Sequence, residues 1–122
     1  MYEGLLSDLV RAWNAQDVEH VIECFAADGI YRASSGPEPL GACFRGPAAI
    51  RGAIEAGFRD YPNGHTTVTS VVIAEQRGLA EWYFEFTGSE GKCTRVYGCD
   101  AYEFEGGKIK MKNSYVKQYV PA

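Results

Sequence analysis

Arg95-Val96-Tyr97-Gly98-Cys99-Asp100-Ala101-Tyr102-Glu103-Phe104 decides how the chain is read. It is rich in aromatic and β-branched residues and runs into Glu105-Gly106-Gly107-Lys108, a hairpin turn. Side chains alternate faces along a strand. Val96, Gly98, Asp100, Tyr102 and Phe104 therefore share one face, and Arg95, Tyr97, Cys99, Ala101 and Glu103 share the other. The first face is apolar apart from one carboxylate. Such a carboxylate is costly unless it is paired, hydrogen-bonded or kept neutral, so Asp100 points to a pocket.

Upstream, Leu79 to Thr87 alternates Ala80, Trp82, Phe84 and Phe86 against Glu81, Tyr83 and Glu85. Thr66 to Ala74 is a threonine- and valine-rich strand, with Arg77-Gly78 as its turn. Downstream, a last strand is expected from Lys108 to about Val120. The N-terminal half has helical spacing instead. Leu5, Leu6, Leu9, Val10 and Trp13 form one stripe, ended by Asn14-Ala15-Gln16. Asp17 N-caps a second helix carrying Val18, Val21, Ile22 and Phe25, with Gly29 as its stop. Ile30 to Ala33 is a short strand, Ser34 to Pro39 a loop, and Cys43-Phe44-Arg45 a brief extended segment. Gly46-Pro47 opens a third helix with Ile50, Ala53, Ile54 and Phe58 inward. Helices first and long strands after predict an α+β fold: a curved antiparallel sheet with three N-terminal helices packed on its concave face.

With 122 residues, 46% hydrophobic and 23% charged, the chain suits one globular domain spanning 1–122. A net charge of -4 and a pI near 5.1 offer no basic face, which argues against nucleic acid. No apolar run reaches membrane-span length, and the acidic, amphipathic start does not read as a secretory leader. The four cysteines are scattered, without metal-ligand spacing or a nearby histidine pair. These features predict a cytoplasmic protein with reduced thiols and argue against a metal site.

The order of elements resembles the nuclear-transport-factor-2-like superfamily, and within it the SnoaL-like proteins. Trp13-Asn14-Ala15-Gln16-Asp17, Phe25-Ala26-Ala27-Asp28-Gly29, Phe44-Arg45-Gly46-Pro47, Gly98-Cys99-Asp100 and Lys112-Asn113-Ser114-Tyr115 carry the likeness, which covers nearly the whole chain. It implies a cone enclosing a pocket. In the related ketosteroid isomerases a carboxylic acid kept neutral donates a hydrogen bond, and Asp100 matches that donor's place. SnoaL-like cyclases put an acid/base aspartate there. The isomerase's base would fall at Ala33 and its tyrosine donor at Leu9, which argues against steroid isomerisation.

The resemblance also bears on Lys112. Simple alternation turns Ile109, Met111, Asn113 and Tyr115 inward and Lys112 outward. The family comparison turns Lys112, Ser114 and Val116 inward, which requires a bulge soon after Ile109. Asp100 then has two possible states, a neutral donor among apolar groups or a partner of Lys112; the first is the expectation. The expected apolar wall is Trp13, Phe25, Tyr31, Trp82 and Tyr102. His20 is read as solvated and His65 as a rim residue, while Ser34 and Ser35 lack a nucleophile motif.

The leading expectation is a cofactor-free acid/base enzyme (isomerase, cyclase or hydratase type) acting on a small organic molecule through Asp100. The rivals are a non-catalytic ligand-binding protein and a module whose cavity is filled by its own side chains. Tyr97, Cys99 and Ala101, with Tyr83 alongside, predict a homodimer through the outer sheet face.

Overall fold

The computed structural model describes residues 2–119. Its elements are α1 (Tyr2–Asn14), α2 (Val18–Glu23), β1 (Phe25–Arg32), β2 (Cys43–Arg45), α3 (Gly46–Asp60), β3 (His65–Ala74), β4 (Arg77–Thr87), β5 (Cys93–Glu105) and β6 (Lys108–Val116). The strands form one curved, open sheet in the order β2-β1-β6-β5-β4-β3. The α+β, cone-like architecture is as expected.

The sheet is mixed, whereas alternation and turns had suggested purely antiparallel pairing. β1 pairs with β6 in parallel, and every other neighbour is antiparallel. β1 and β6 lie far apart in sequence, so no hairpin dictates their direction. The last strand ends at Val116, and its expected extension to Val120 reaches outside the described residues.

Two other boundaries differ. The second helix stops at Glu23, and Phe25 opens β1 instead of ending a helical stripe. The Ile109 N–H donates to the Cys24 carbonyl at 2.8 Å, and Phe25 sits opposite Ile109. Docking on β6 thus converts the end of a short helix to strand. Gly29 lies within β1; a Cβ there would come 2.9 Å from the Ala26 carbonyl oxygen. The β3–β4 turn falls at Glu75-Gln76, with Glu75 at φ 56°, and Ala74 pairs with Arg77. Gly78 is paired strand, and its missing Cβ makes room for the Phe104 ring at 3.0 Å.

The helices bury one stripe each against the sheet. Leu6 and Leu9 of α1, Val21 of α2, and Ile50 and Ile54 of α3 meet Phe104 and Ile109 from the strands. Tyr2, Phe104 and Tyr102 stack in succession, with ring centroids 4.2 and 5.8 Å apart. Asn14 ends α1 with a side-chain amide that behaves as a strand partner. It donates to the Thr66 carbonyl at 2.9 Å and accepts from the Thr66 N–H at 2.8 Å. That clamp ties the end of α1 to the start of β3. Among the described residues, no helix is long and apolar enough to cross a membrane.

Candidate functional site

The face alternation of β5 holds: Asp100, Tyr102 and Phe104 are buried while Tyr97 is exposed. The β5–β6 ladder then decides Lys112. Phe104 pairs with Ile109 but Glu103 pairs with Met111, so Lys110 is an extra residue opposite one partner. This bulge keeps Ile109 inside and brings Lys112 and Ser114 onto the same buried face. Lys110 itself reaches outward to pair with Asp28.

The result is a four-residue polar cluster. Lys112 Nζ lies 3.1 Å from Asp100 Oδ2, and only 5% of Asp100 and 6% of Lys112 is exposed. Asp100 is therefore a partner of Lys112 and not the lone neutral donor expected from its apolar neighbours. The Ser114 hydroxyl donates to Asp100 Oδ1 at 2.6 Å, and the Tyr102 hydroxyl donates to Oδ2 at 3.1 Å. Lys112 also donates to Ser114 Oγ at 3.2 Å. Burial is the strongest influence on the Lys112 ammonium and disfavours its charge. The Asp100 carboxylate and Tyr31 outweigh it, so the ammonium holds its proton above the usual lysine range. Burial, followed by the Asp100 charge, pushes the Tyr102 hydroxyl well above the usual tyrosine range.

This cluster faces a cavity of about 520 Å³, mostly apolar in lining. Trp13, Tyr31, Trp82, Tyr102, Asp100 and Lys112 all line it. Phe25, expected in the wall, is 7% exposed and belongs to the core, because β1 begins there and pairs it with Ile109. Leu6, Leu9, Val68, Phe84 and Ser114 complete much of the lining. Ser114 was legible only as a residue sharing Lys112's face. Ala80 and Ser114 sit opposite Asp100 on the two flanking strands, and their small side chains leave space above the carboxylate. His20 and His65 are exposed, and neither lines the cavity. Among the described residues, no group of histidine, cysteine, aspartate and glutamate side chains could hold a metal ion.

Trp82 depends on a glycine. A Cβ on Gly98 would lie 2.5 Å from the Tyr115 carbonyl oxygen and 2.7 Å from the Trp82 ring. Gly98→Ala should cost roughly 1–3 kcal/mol through overpacking and displace the indole. Urea unfolding and tryptophan emission check this together; a variant unchanged in both would contradict it. The Trp82 indole N–H is buried without a hydrogen-bond partner among the described residues.

Solved structures share this architecture. A protein from Catenulispora acidiphila with a ketosteroid isomerase-like fold, in complex with trimethylamine, is 20% identical with a TM-score of 0.81, over 91% of this chain and 83% of that one. TerC, co-crystallised with polyporic acid, is 13% identical with a TM-score of 0.79, over 93% and 89% of the two chains. A candidate polyketide cyclase from Xanthomonas campestris pv. campestris is 19% identical with a TM-score of 0.76, over 94% and 89%. At these identities the likeness is one of fold. No curated protein matches the chain. The sequence pattern of the SnoaL-like domain matches residues 6–111, most of the chain, and the protein therefore belongs to the SnoaL-like family.

Proposed function

We propose that the protein is a cofactor-independent acid/base enzyme that moves a proton next to a carbonyl group in a small organic substrate. The observation that carries this reading is the Asp100–Lys112 pair at the wall of an apolar cavity. A carboxylate offers about four acceptor positions; two hydrogen bonds and the Lys112 ion pair occupy three of them. The remaining position on Asp100 would take the proton from carbon. The Lys112 ammonium would meet the charge developing on the carbonyl oxygen, where a water-poor wall strengthens the attraction. Tyr102 and Ser114 would hold the carboxylate in place. Because Lys112 is held protonated, it serves as a hydrogen-bond donor and not as an amine nucleophile. Fold neighbours crystallised with trimethylamine and polyporic acid support occupancy by small molecules, and a candidate cyclase among them supports the reaction class.

The test is deuterium exchange at carbons next to the carbonyl in a panel of cyclic ketones and diketones, followed by proton NMR. Wild type should accelerate exchange in at least one compound and Asp100→Asn should not. Equal rates for both proteins across the panel would contradict the reading. A non-catalytic ligand carrier is the second reading. It is favoured by the internal hydrogen bonding of Asp100, which is satisfied in three directions without any substrate. Under that reading, mass spectrometry of the purified protein should reveal a retained small molecule. Four free cysteines support a reducing, cytoplasmic setting.

The outer face of the sheet would join two copies. Tyr83 pairs directly with Tyr97, their rings 5.9 Å apart, and Arg95 lies over Tyr83. Tyr97 and Tyr115 remain about half exposed. Sedimentation at micromolar concentration should show a dimer that Tyr97→Glu disperses; a monomeric wild type would contradict it.

A further inference from the structure

Lys112 Nζ does more than meet Asp100. It stands 4.7 Å from the Trp13 ring centroid and 4.9 Å from that of Tyr31. The two rings make a corner, with centroids 6.2 Å apart and planes at 77°. Other contacts hold that corner. Phe58 meets Trp13 edge-on at 6.1 Å, and Phe44 stacks on Tyr31 at 5.9 Å. Two aromatic faces and a buried carboxylate around one point form a receptor for an organic ammonium. In this chain a tethered ammonium already fills it.

An ammonium has three N–H donors. Asp100 and Ser114 take two of them, and Lys112 borders the cavity. The third has no hydrogen-bond partner among the described residues, and the Trp13 and Tyr31 rings flank the ammonium. An entering cation would find the ring corner occupied by like charge. An entering acceptor oxygen would find an unused, charge-assisted donor.

We propose that Lys112 sets ligand charge in this pocket: it blocks an ammonium-binding corner and admits molecules that present an acceptor oxygen, carbonyl or carboxylate. This rests on the pocket reading above for its site but requires no turnover. Removing the lysine side chain should expose the corner and invert the preference, with Asp100 as counter-ion to the new guest.

Both tryptophans of the chain line the cavity, so their fluorescence reports on its contents. The probes are benzoate and benzyltrimethylammonium, which share a ring and differ in charge. Wild type should bind benzoate at least about tenfold more tightly than the cation. Lys112→Ala should favour the cation, and Lys112→Ala/Asp100→Asn should lose that gain. If Lys112→Ala folds poorly alone, the cation should raise its melting temperature or refolding yield, with no such rise in wild type. The proposal is overturned if wild type takes the cation as tightly as benzoate or binds neither at millimolar concentration. It is also overturned if Lys112→Ala leaves the ratio unchanged. Failure of ketone exchange beside an intact benzoate preference would count against the enzyme reading alone.

Discussion

Asp100→Asn should destabilise the protein by roughly 3–5 kcal/mol near neutral pH, because it strands the buried Lys112 ammonium. The variant keeps a polar side chain of the same size, so lost volume does not explain the cost. The pH dependence should separate it from a general packing defect. In wild type, Lys112 holds its proton above the unfolded value of about 10.4. The stability from that shift is fully present below the unfolded value and is lost as pH rises through the folded one. Tyr102, also raised, adds loss of the same sign above about pH 10. Without the Asp100 charge, burial governs Lys112 and brings its folded value below the unfolded one. The unfolded variant then binds more protons, so the variant gains stability as pH rises toward about 10.4. Urea unfolding from pH 6 to 10.5 should show the gap between the two proteins closing. A constant gap, or equal stability at pH 7, would contradict the ion pair.

Lys112→Met should be comparably costly at neutral pH, at roughly 3–5 kcal/mol, because it strands the carboxylate. Ser114 and Tyr102 would still donate to Asp100, but no opposite charge would remain in contact. The informative protein is Asp100→Asn/Lys112→Met. Removing both charges together leaves no buried ion unpaired, so the double variant should cost less than the sum of the singles by about 3 kcal/mol or more. Denaturant unfolding of the four proteins measures this coupling. Simple additivity would mean that the two side chains act independently.

The sequence exposed the core of the site through one strand. Period-two alternation put Asp100 beside Tyr102 and Phe104, and the structure buries all three. Lys112 was harder because its direction depends on whether Lys110 is accommodated as an extra residue. A strand pattern alone contains no signal for that, and the two-glycine turn at Gly106-Gly107 tolerates either register. Family likeness pointed inward, and the Phe104–Ile109 and Glu103–Met111 pairings explain how the strand gets there. Phe25 failed for a different reason. Its spacing fits the helix before it, yet pairing with Ile109 draws it into strand and core. That contact spans most of the chain and leaves no local trace. The same distance hid the parallel direction of β1 beside β6.

The most direct test of the buried pair is nitrogen-15 NMR of the Lys112 side chain through an alkaline titration, in wild type and Asp100→Asn. Wild-type Lys112 should remain an ammonium past the pH at which exposed lysines lose their protons, and in Asp100→Asn it should titrate below them. A wild-type signal already that of a neutral amine before the exposed lysines titrate would contradict the account.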